Sequence, residues 1–271
     1  MKAKKLISAL LALAVVASAV ALSSCGGDSQ SSQTAAGGEK KDTIVVGLDD
    51  QFPPMGYRDD DGNLVGFDID IATETFERMG MEVKLQPIDW KVKEQELNAE
   101  TVDCLWNGYT ITDSRKEEVL FSDAYMKNRQ IIVVMADSEV NSMDDLSGKK
   151  LALQSESSAS DALDSVPDFK NSLEEVLLFD DNNKALMDLE SGGADGVLID
   201  EVVARYYTKK DASKYRILDD SLADEEYGVG FRKSDEELRD KVNETFKEMK
   251  EDGTLAEISE KWFGEDITTI Q

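Results

Sequence analysis

Residues 43–88, TIVVGLDDQFPPMGYRDDDGNLVGFDIDIATETFERMGMEVKLQPI, decide the fold class. Thr43 to Leu48 is a β-branched, apolar run that stops at Asp49-Asp50, which predicts a strand. Asp68 to Met79 carries apolar residues at helical spacing and stops at Gly80, and Glu82 to Ile88 reads as strand again. The alternation continues outward. Further strands are predicted over Asp103 to Trp106, Gln130 to Met135, Lys150 to Leu153, Val176 to Phe179, Ala194 to Ile199 and Tyr227 to Phe231. Helices are predicted over Lys91 to Ala99, Ser114 to Val119, Ala159 to Val166, Asn183 to Ser191, Glu201 to Lys209, Asp235 to Glu251 and Leu255 to Phe263. Ser234 and Glu237 announce the helix from Asp235 as a capping box. Strand and helix in turn make an α/β protein with mostly parallel sheets, in which ligands sit at the carboxyl ends of the strands.

Composition narrows the function before any motif is read. The chain has 271 residues, room for one large domain or two ordinary ones, and 41% apolar content suffices for a core in either case. With 57 acidic against 30 basic residues the formal charge is −27, which repels nucleic-acid phosphates and anionic headgroups. No histidine is present, so Ser-His and Cys-His pairs and His-ligated metal sites are excluded. These counts favour binding over catalysis, and no cofactor or metal is expected.

The amino terminus is an address. Lys2, Lys4 and Lys5 precede an uncharged run, Leu6 to Leu22, that is marginal for a membrane span and suits a secretory signal. Leu22-Ser23-Ser24-Cys25-Gly26 resembles the lipobox of bacterial lipoproteins. That resemblance implies a signal peptide over 1–24, cleavage before Cys25 and diacylglycerol on its sulfur, with further acylation giving stable anchoring. The competing reading is a plain secretory peptide with an incidental cysteine. From Gly26 to Asp42 no apolar residue exceeds alanine, so 25–42 is the lipidated cysteine plus a flexible tether reaching ~20–25 Å. Cys104, the other cysteine, lies in an apolar strand and reads as a small hydrophobe.

Residues just after the strands carry the candidate chemistry. Asp49-Asp50-Gln51-Phe52-Pro53-Pro54 follows the first strand, and Ile88-Asp89-Trp90 ends the next. The third runs into Trp106-Asn107-Gly108-Tyr109-Thr110-Ile111-Thr112-Asp113-Ser114-Arg115, where Thr112 can cap a helix and Gly108 allows close backbone approach. Gln154-Ser155-Glu156-Ser157-Ser158-Ala159 places hydroxyls at a helix start, where anions bind readily, and Asp200 closes Gly196 to Ile199. Asp59-Asp60-Asp61-Gly62-Asn63 reads as a hairpin turn in preference to a calcium loop, whose twelfth position would fall on Asp68 where glutamate is needed.

Four stretches, Gly66-Phe67-Asp68-Ile69-Asp70, Gly108 to Arg115, Phe121-Ser122-Asp123-Ala124-Tyr125 and Lys261-Trp262-Phe263-Gly264, resemble the family 3 solute-binding proteins that serve polar amino acid ABC transporters. The resemblance spans 43–266. It implies a periplasmic-binding-protein-like type II flytrap: one lobe from 43–126 and 228–271, the other from 131–224, joined by two crossing segments. It further implies that Arg115 clamps the ligand carboxylate beside Gly108 and Thr110, with Ser157 and Ser158 completing the grip. Asp200 would take the α-ammonium, Phe52 and Trp90 would sandwich the side chain, and Asp49 would stand near its tip. Glu156 departs from the glycine common at its position. The plain alternatives are a solvated Arg115, core roles for Phe52 and Trp90, and a helix-capping Asp200.

The function implied is a lipid-anchored, monomeric receptor on the extracytoplasmic face of the cell membrane, handing an L-amino acid to a permease. The alternative is a flytrap enzyme of the cyclohexadienyl dehydratase type with Glu156 as acid. An ionised Asp49 only accepts hydrogen bonds, so ligands with donor-bearing side chains are expected and acidic ones are rejected. Glu156 turned inward would favour a cation; turned outward, it favours glutamine. Replacing Cys25 with serine should release the chain from the membrane fraction or block its processing, without altering ligand affinity of the folded domain. A processed Cys25→Ser protein that stays with membranes on fractionation contradicts the anchor.

Overall fold

The computed structural model describes residues 43–271, so the signal peptide, Cys25 and the tether lie outside the described residues. Among these, strands form two five-stranded sheets and a small three-stranded one. In the first large sheet β1 (Thr43–Leu48) pairs in parallel with both β5 (Glu82–Pro87) and β6 (Cys104–Leu105). β13 (Gly230–Phe231) and β7 (Leu120–Phe121) complete it in antiparallel pairing, giving the order β5-β1-β6-β13-β7. The second has the order β10-β9-β11-β8-β12, built from β8 (Met126–Met135), β9 (Lys150–Gln154), β10 (Glu175–Phe179), β11 (Gly196–Asp200) and β12 (Tyr215–Tyr227). The small sheet joins β2 (Gln51–Phe52), β3 (Gly56–Arg58) and β4 (Leu64–Val65). Its Asp59 to Asn63 turn is the hairpin expected, with the Asp59 carboxylate accepting from the N–H groups of Asp61 and Asn63.

Helices α1 (Phe67–Arg78), α2 (Lys93–Asn98), α3 (Asp113–Glu118), α4 (Ser158–Asp164), α5 (Pro167–Ser172), α6 (Asn182–Ser191), α7 (Glu201–Lys210), α8 (Glu236–Glu251) and α9 (Thr254–Phe263) fill the connections. α1 starts at Gly66 with φ 152°, where a Cβ would stand 2.0 Å from the Met55 carbonyl oxygen, so only glycine fits. The capping box read at Ser234 and Glu237 does not form. α8 instead starts at Asp235, whose carboxylate is taken by Arg232 at 2.7 Å while the Ser234 hydroxyl donates to it. A capping box does occur at Ser142 and Asp145, before the short turn Met143–Leu146. No helix among the described residues is long and apolar enough to cross a membrane.

The long antiparallel ladder of β8 and β12 connects the two large sheets. β12 starts twelve residues before the strand read from Tyr227 onward, because Asp219-Asp220 and Asp224-Glu225-Glu226 look like solvated surface. In the ladder they alternate, with Asp224 and Glu226 exposed and Glu225 and Tyr227 buried. Cys104 is wholly buried in β6, in an apolar cluster with Val46, Trp106 and Phe246.

Asp68, in the first turn of α1, is only 1% exposed. Its Oδ2 accepts from the Gly108 N–H at 2.6 Å and the Tyr125 hydroxyl at 2.9 Å, tying α1 to the loop after β6 and to the entry of β8. Burial raises its pKa from 3.8 to about 7, against the lowering effect of those two bonds. The folded value exceeds the unfolded one, so the folded chain holds this proton where the unfolded chain has lost it. Stability from this group is therefore full below the unfolded pKa and lost as pH rises through about 7. Asp68→Asn should flatten the fall in stability over that interval, by at most roughly 1.4 kcal/mol per pH unit. Urea unfolding at a series of pH values checks this, and a variant with the wild-type slope contradicts it.

Candidate functional site

The carboxyl ends of the strands converge on a nearly closed cleft between the sheets, with a cavity of only about 10 Å³. Phe52, Trp90, Asn107, Gly108 and Arg115 form one wall, and Gln154, Ser157, Ser158, Ala159, Asn182, Ile199 and Asp200 the other. Asp49 and Thr110 stand directly behind, each hydrogen-bonded to a lining residue: Gln154 Nε2 donates to Asp49 Oδ2 at 2.8 Å, and Thr110 Oγ1 donates to Ser158 Oγ at 3.1 Å. Seven of the nine residues singled out for the ligand thus line one cleft, and Asp49 and Thr110 adjoin it.

The Arg115 position follows from local capping. Thr112 accepts from the Arg115 N–H at 3.1 Å, starting α3 so that the guanidinium turns back over the Tyr109 ring, 4.9 Å from its centroid. The side chain is 8% exposed, so it is not a solvated surface charge. Nη1 donates to the Thr110 carbonyl at 3.0 Å, and Nη2 stands 3.9 Å from Asp161. Among the described residues no carboxylate engages this fork bidentately, so it keeps donors for an anion from outside.

Asp200 occupies the N-cap position of α7, yet its side chain makes no capping bond. Its Oδ1 instead accepts from Asn128 Nδ2 at 2.9 Å and from Gln130 Nε2. Burial, then the neighbouring Glu225 charge, hold its carboxyl well above the usual carboxylate range. Asp49 is also perturbed. Burial pushes it up to about 6, opposed by the bonds from Gln154 and the Gln51 N–H.

Phe52 and Trp90 serve core and cleft together: Trp90 meets Tyr109 edge-on at 5.7 Å within an apolar cluster, and both rings line the cleft. Gly108 has φ 56°, and a Cβ there would lie 2.9 Å from Phe52 and 3.1 Å from Tyr227. Its N–H is already donated to Asp68, which leaves its carbonyl for a ligand. Ser157 donates its hydroxyl to the Gln154 carbonyl at 2.8 Å and so shapes the loop.

Glu156 explains its own departure from glycine. The residue has φ 53°, the left-handed region that costs a non-glycine ~1–2 kcal/mol, and its side chain is exposed and does not line the cleft. Its carbonyl accepts from Lys93 Nζ at 3.0 Å across the cleft. Lys93 is buried, against the Trp90 ring and beside Glu94, and burial lowers its pKa. With Asn183 donating to Gln51 at 2.7 Å, these contacts bring the two walls together.

Sequence reading missed Gln154, Asn182, Asn107, Lys93 and Glu225. Gln154 carried a signal, since it ends a strand in the way Asp200 does. Lys93 and Glu225 carried none, being charged residues in charged stretches, buried only by tertiary packing.

The comparisons with known proteins agree with one another. Residues 44–265 match the family model "Bacterial extracellular solute-binding proteins, family 3". The L-cystine-binding protein TcyJ of Escherichia coli is 31% identical over 234 residues, covering 85% of this chain and 86% of that protein. The arginine-binding extracellular protein ArtP of Bacillus subtilis is 31% identical over 262 residues, covering 94% and 97%. A substrate-binding protein of an ABC uptake transporter from Streptococcus pneumoniae, solved with bound histidine, is 42% identical with a TM-score of 0.82, covering 84% of this chain and 95% of that one. Two α/β sheets joined by the β8–β12 ladder make the fold that this chain shares with that solved structure, and the chain belongs to the bacterial extracellular solute-binding proteins, family 3.

Proposed function

We propose that this chain is the substrate-binding component of an amino acid ABC transporter, closing on a polar or cationic L-amino acid and delivering it to a membrane permease. One observation carries this reading. A buried guanidinium, Arg115, and a buried carboxylate, Asp200, face one small cleft without being paired to each other, which is complementary to a zwitterion. Arg115 grips the ligand carboxylate with the Thr110 hydroxyl and the Ser157-Ser158 loop beside it. Asp200 and the Gly108 carbonyl receive the ammonium, Phe52 and Trp90 supply flat faces, and Asp49 meets the side-chain tip. The relatives, named for or solved with cystine, arginine and histidine, support an amino acid with a polar side chain.

Division of labour follows the chain: 43–126 and 228–271 form the lobe carrying Arg115, and 131–224 the lobe carrying Asp200. Ligand contacts to both favour the closed arrangement, a population shift whose size is the ligand's differential affinity. The monomeric receptor is held at the extracytoplasmic membrane surface through lipid on Cys25 after loss of 1–24. The dehydratase reading loses support, because Glu156, its candidate acid, points to solvent. The same outward turn leaves Asp49 as the acidic group nearest the side-chain end and favours glutamine over a cation.

Thermal-shift screening of the mature domain against the common L-amino acids and L-cystine should give stabilisation by at least one polar or cationic member and none by aspartate or glutamate. Arg115→Ala should weaken that ligand by about 3–5 kcal/mol, two to three decades or more. Calorimetry within threefold of wild type, or glutamate outcompeting arginine, lysine and glutamine, would remove the assignment. Mass spectrometry should recover the ligand unchanged.

A further inference from the structure

Glu225 has no part in the reading above, yet it lies beside the proposed ammonium site. It is 9% exposed on β12 and shares its hydrogen-bond donors with Asp200. Asn128 Nδ2 lies 2.9 Å from Asp200 Oδ1 and 2.9 Å from Glu225 Oε2. Gln130 Nε2 donates to Asp200 Oδ1 and lies 3.1 Å from Glu225 Oε2 and 3.2 Å from Ser158 Oγ. Thr110 Oγ1 stands 3.3 Å from Glu225 Oε2, so one hydroxyl separates this carboxylate from the cleft wall at Ser158. Two acids therefore divide the donors of two neutral amides.

Among the described residues no cation forms an ion pair with either of them. Asp224 and Glu226 flank Glu225 on the exposed face of β12. On β8, Arg129 is engaged by Glu201 of α7 at 2.7 Å, and Lys127 is exposed. Lys116 of α3 borders the outer groove that Glu225 also lines. Arg115 spends one donor on the Thr110 carbonyl and points its fork into the cleft. The hydroxyl of Tyr227, wholly buried, has no hydrogen-bond partner among the described residues, and both carboxylates act on it electrostatically. Two like charges this close and this dry do not both persist.

We propose that Glu225 makes ligand binding proton-linked: with no ammonium in the cleft the Asp200–Glu225 pair holds one proton, and an incoming α-ammonium replaces it. The carboxyl O–H bond breaks, the proton leaves to solvent, and the ligand's N–H groups donate to the freed carboxylate. The burial that raises the Asp200 pKa acts in the same direction. Affinity then climbs with pH, by up to about tenfold per unit, wherever the pair is still protonated. The inference rests on the reading of Asp200 as the ammonium partner, with Glu225 a positioning residue acting through it.

Calorimetry with L-arginine and L-glutamine, each in phosphate and Tris buffers over about pH 5.5 to 8, measures protons released on binding. Wild type should release close to one proton more per bound ligand than Glu225→Gln. Its affinity should rise with pH above about 7, where Asp49 is mostly ionised, while that of the variant stays flat. Glu225→Asp, which keeps the second carboxylate, should retain the release. Equal release by wild type and Glu225→Gln overturns the proposal, as does a wild type that releases none at any pH, which needs no variant to fold. Asp200→Asn separates the two readings: a loss of a hundredfold or more in affinity with no effect of Glu225→Gln on release leaves Asp200 in place and removes only the proton linkage. Wild-type affinity in Asp200→Asn removes both.

Discussion

A buried carboxyl group shapes one wall of the cleft by fixing three chain segments at once. Asp68 binds the Gly108 N–H and the Tyr125 hydroxyl through one oxygen, joining α1, the loop that carries the anion-facing residues, and the start of the first crossing strand. In a site shielded from water each such bond is strengthened, and losing one partner would leave a buried polar group unsatisfied. Around it Tyr125 touches Phe67, Trp106, Tyr227 and Phe246, so the aromatic core and the hydrogen bonds constrain the same point. The Gly-Phe-Asp motif is thus a positioning device one layer away from the ligand.

The cleft is made of charges that the fold keeps dry and leaves without full compensation. Arg115 lacks a bidentate carboxylate, Asp200 relies on two neutral amides, and Asp49 relies on Gln154 and a backbone N–H. Burying such groups costs stability, and a zwitterion offers the charges that offset it. In the receptor proposed above, the cationic and anionic partners sit on different lobes and the offset is complete only when the lobes close. Selectivity and closure therefore arise from one arrangement.

Contacts between the walls hold the closed arrangement seen in this structure. Gln154 to Asp49, Asn183 to Gln51, Thr110 to Ser158 and Lys93 to the Glu156 carbonyl all join the two lobes directly. The Lys93 bond uses a carbonyl that the left-handed backbone of Glu156 turns toward the cleft region, which gives a strained non-glycine residue a use in this fold.

The class of fold and most of the site were legible in the chain alone. Apolar periodicity marked β1, α1 and β5 to within a residue, because these elements bury faces whose spacing is local. Strand ends in α/β sheets pointed to the stretches that hold Arg115, Asp200 and the serine loop, and the family resemblance singled out these residues within them. Tertiary structure alone decided which acids are buried: Glu225 and Asp224 are neighbours of one chemistry, and only the ladder with β8 turns the first inward and the second to water. It likewise decided that Asp235 pairs with Arg232 instead of yielding to the Ser234 capping box, and that Glu156 faces outward. Local sequence determines backbone preference and periodicity, whereas the burial of a charge depends on partners brought from distant segments, and those partners exist only once the chain has folded.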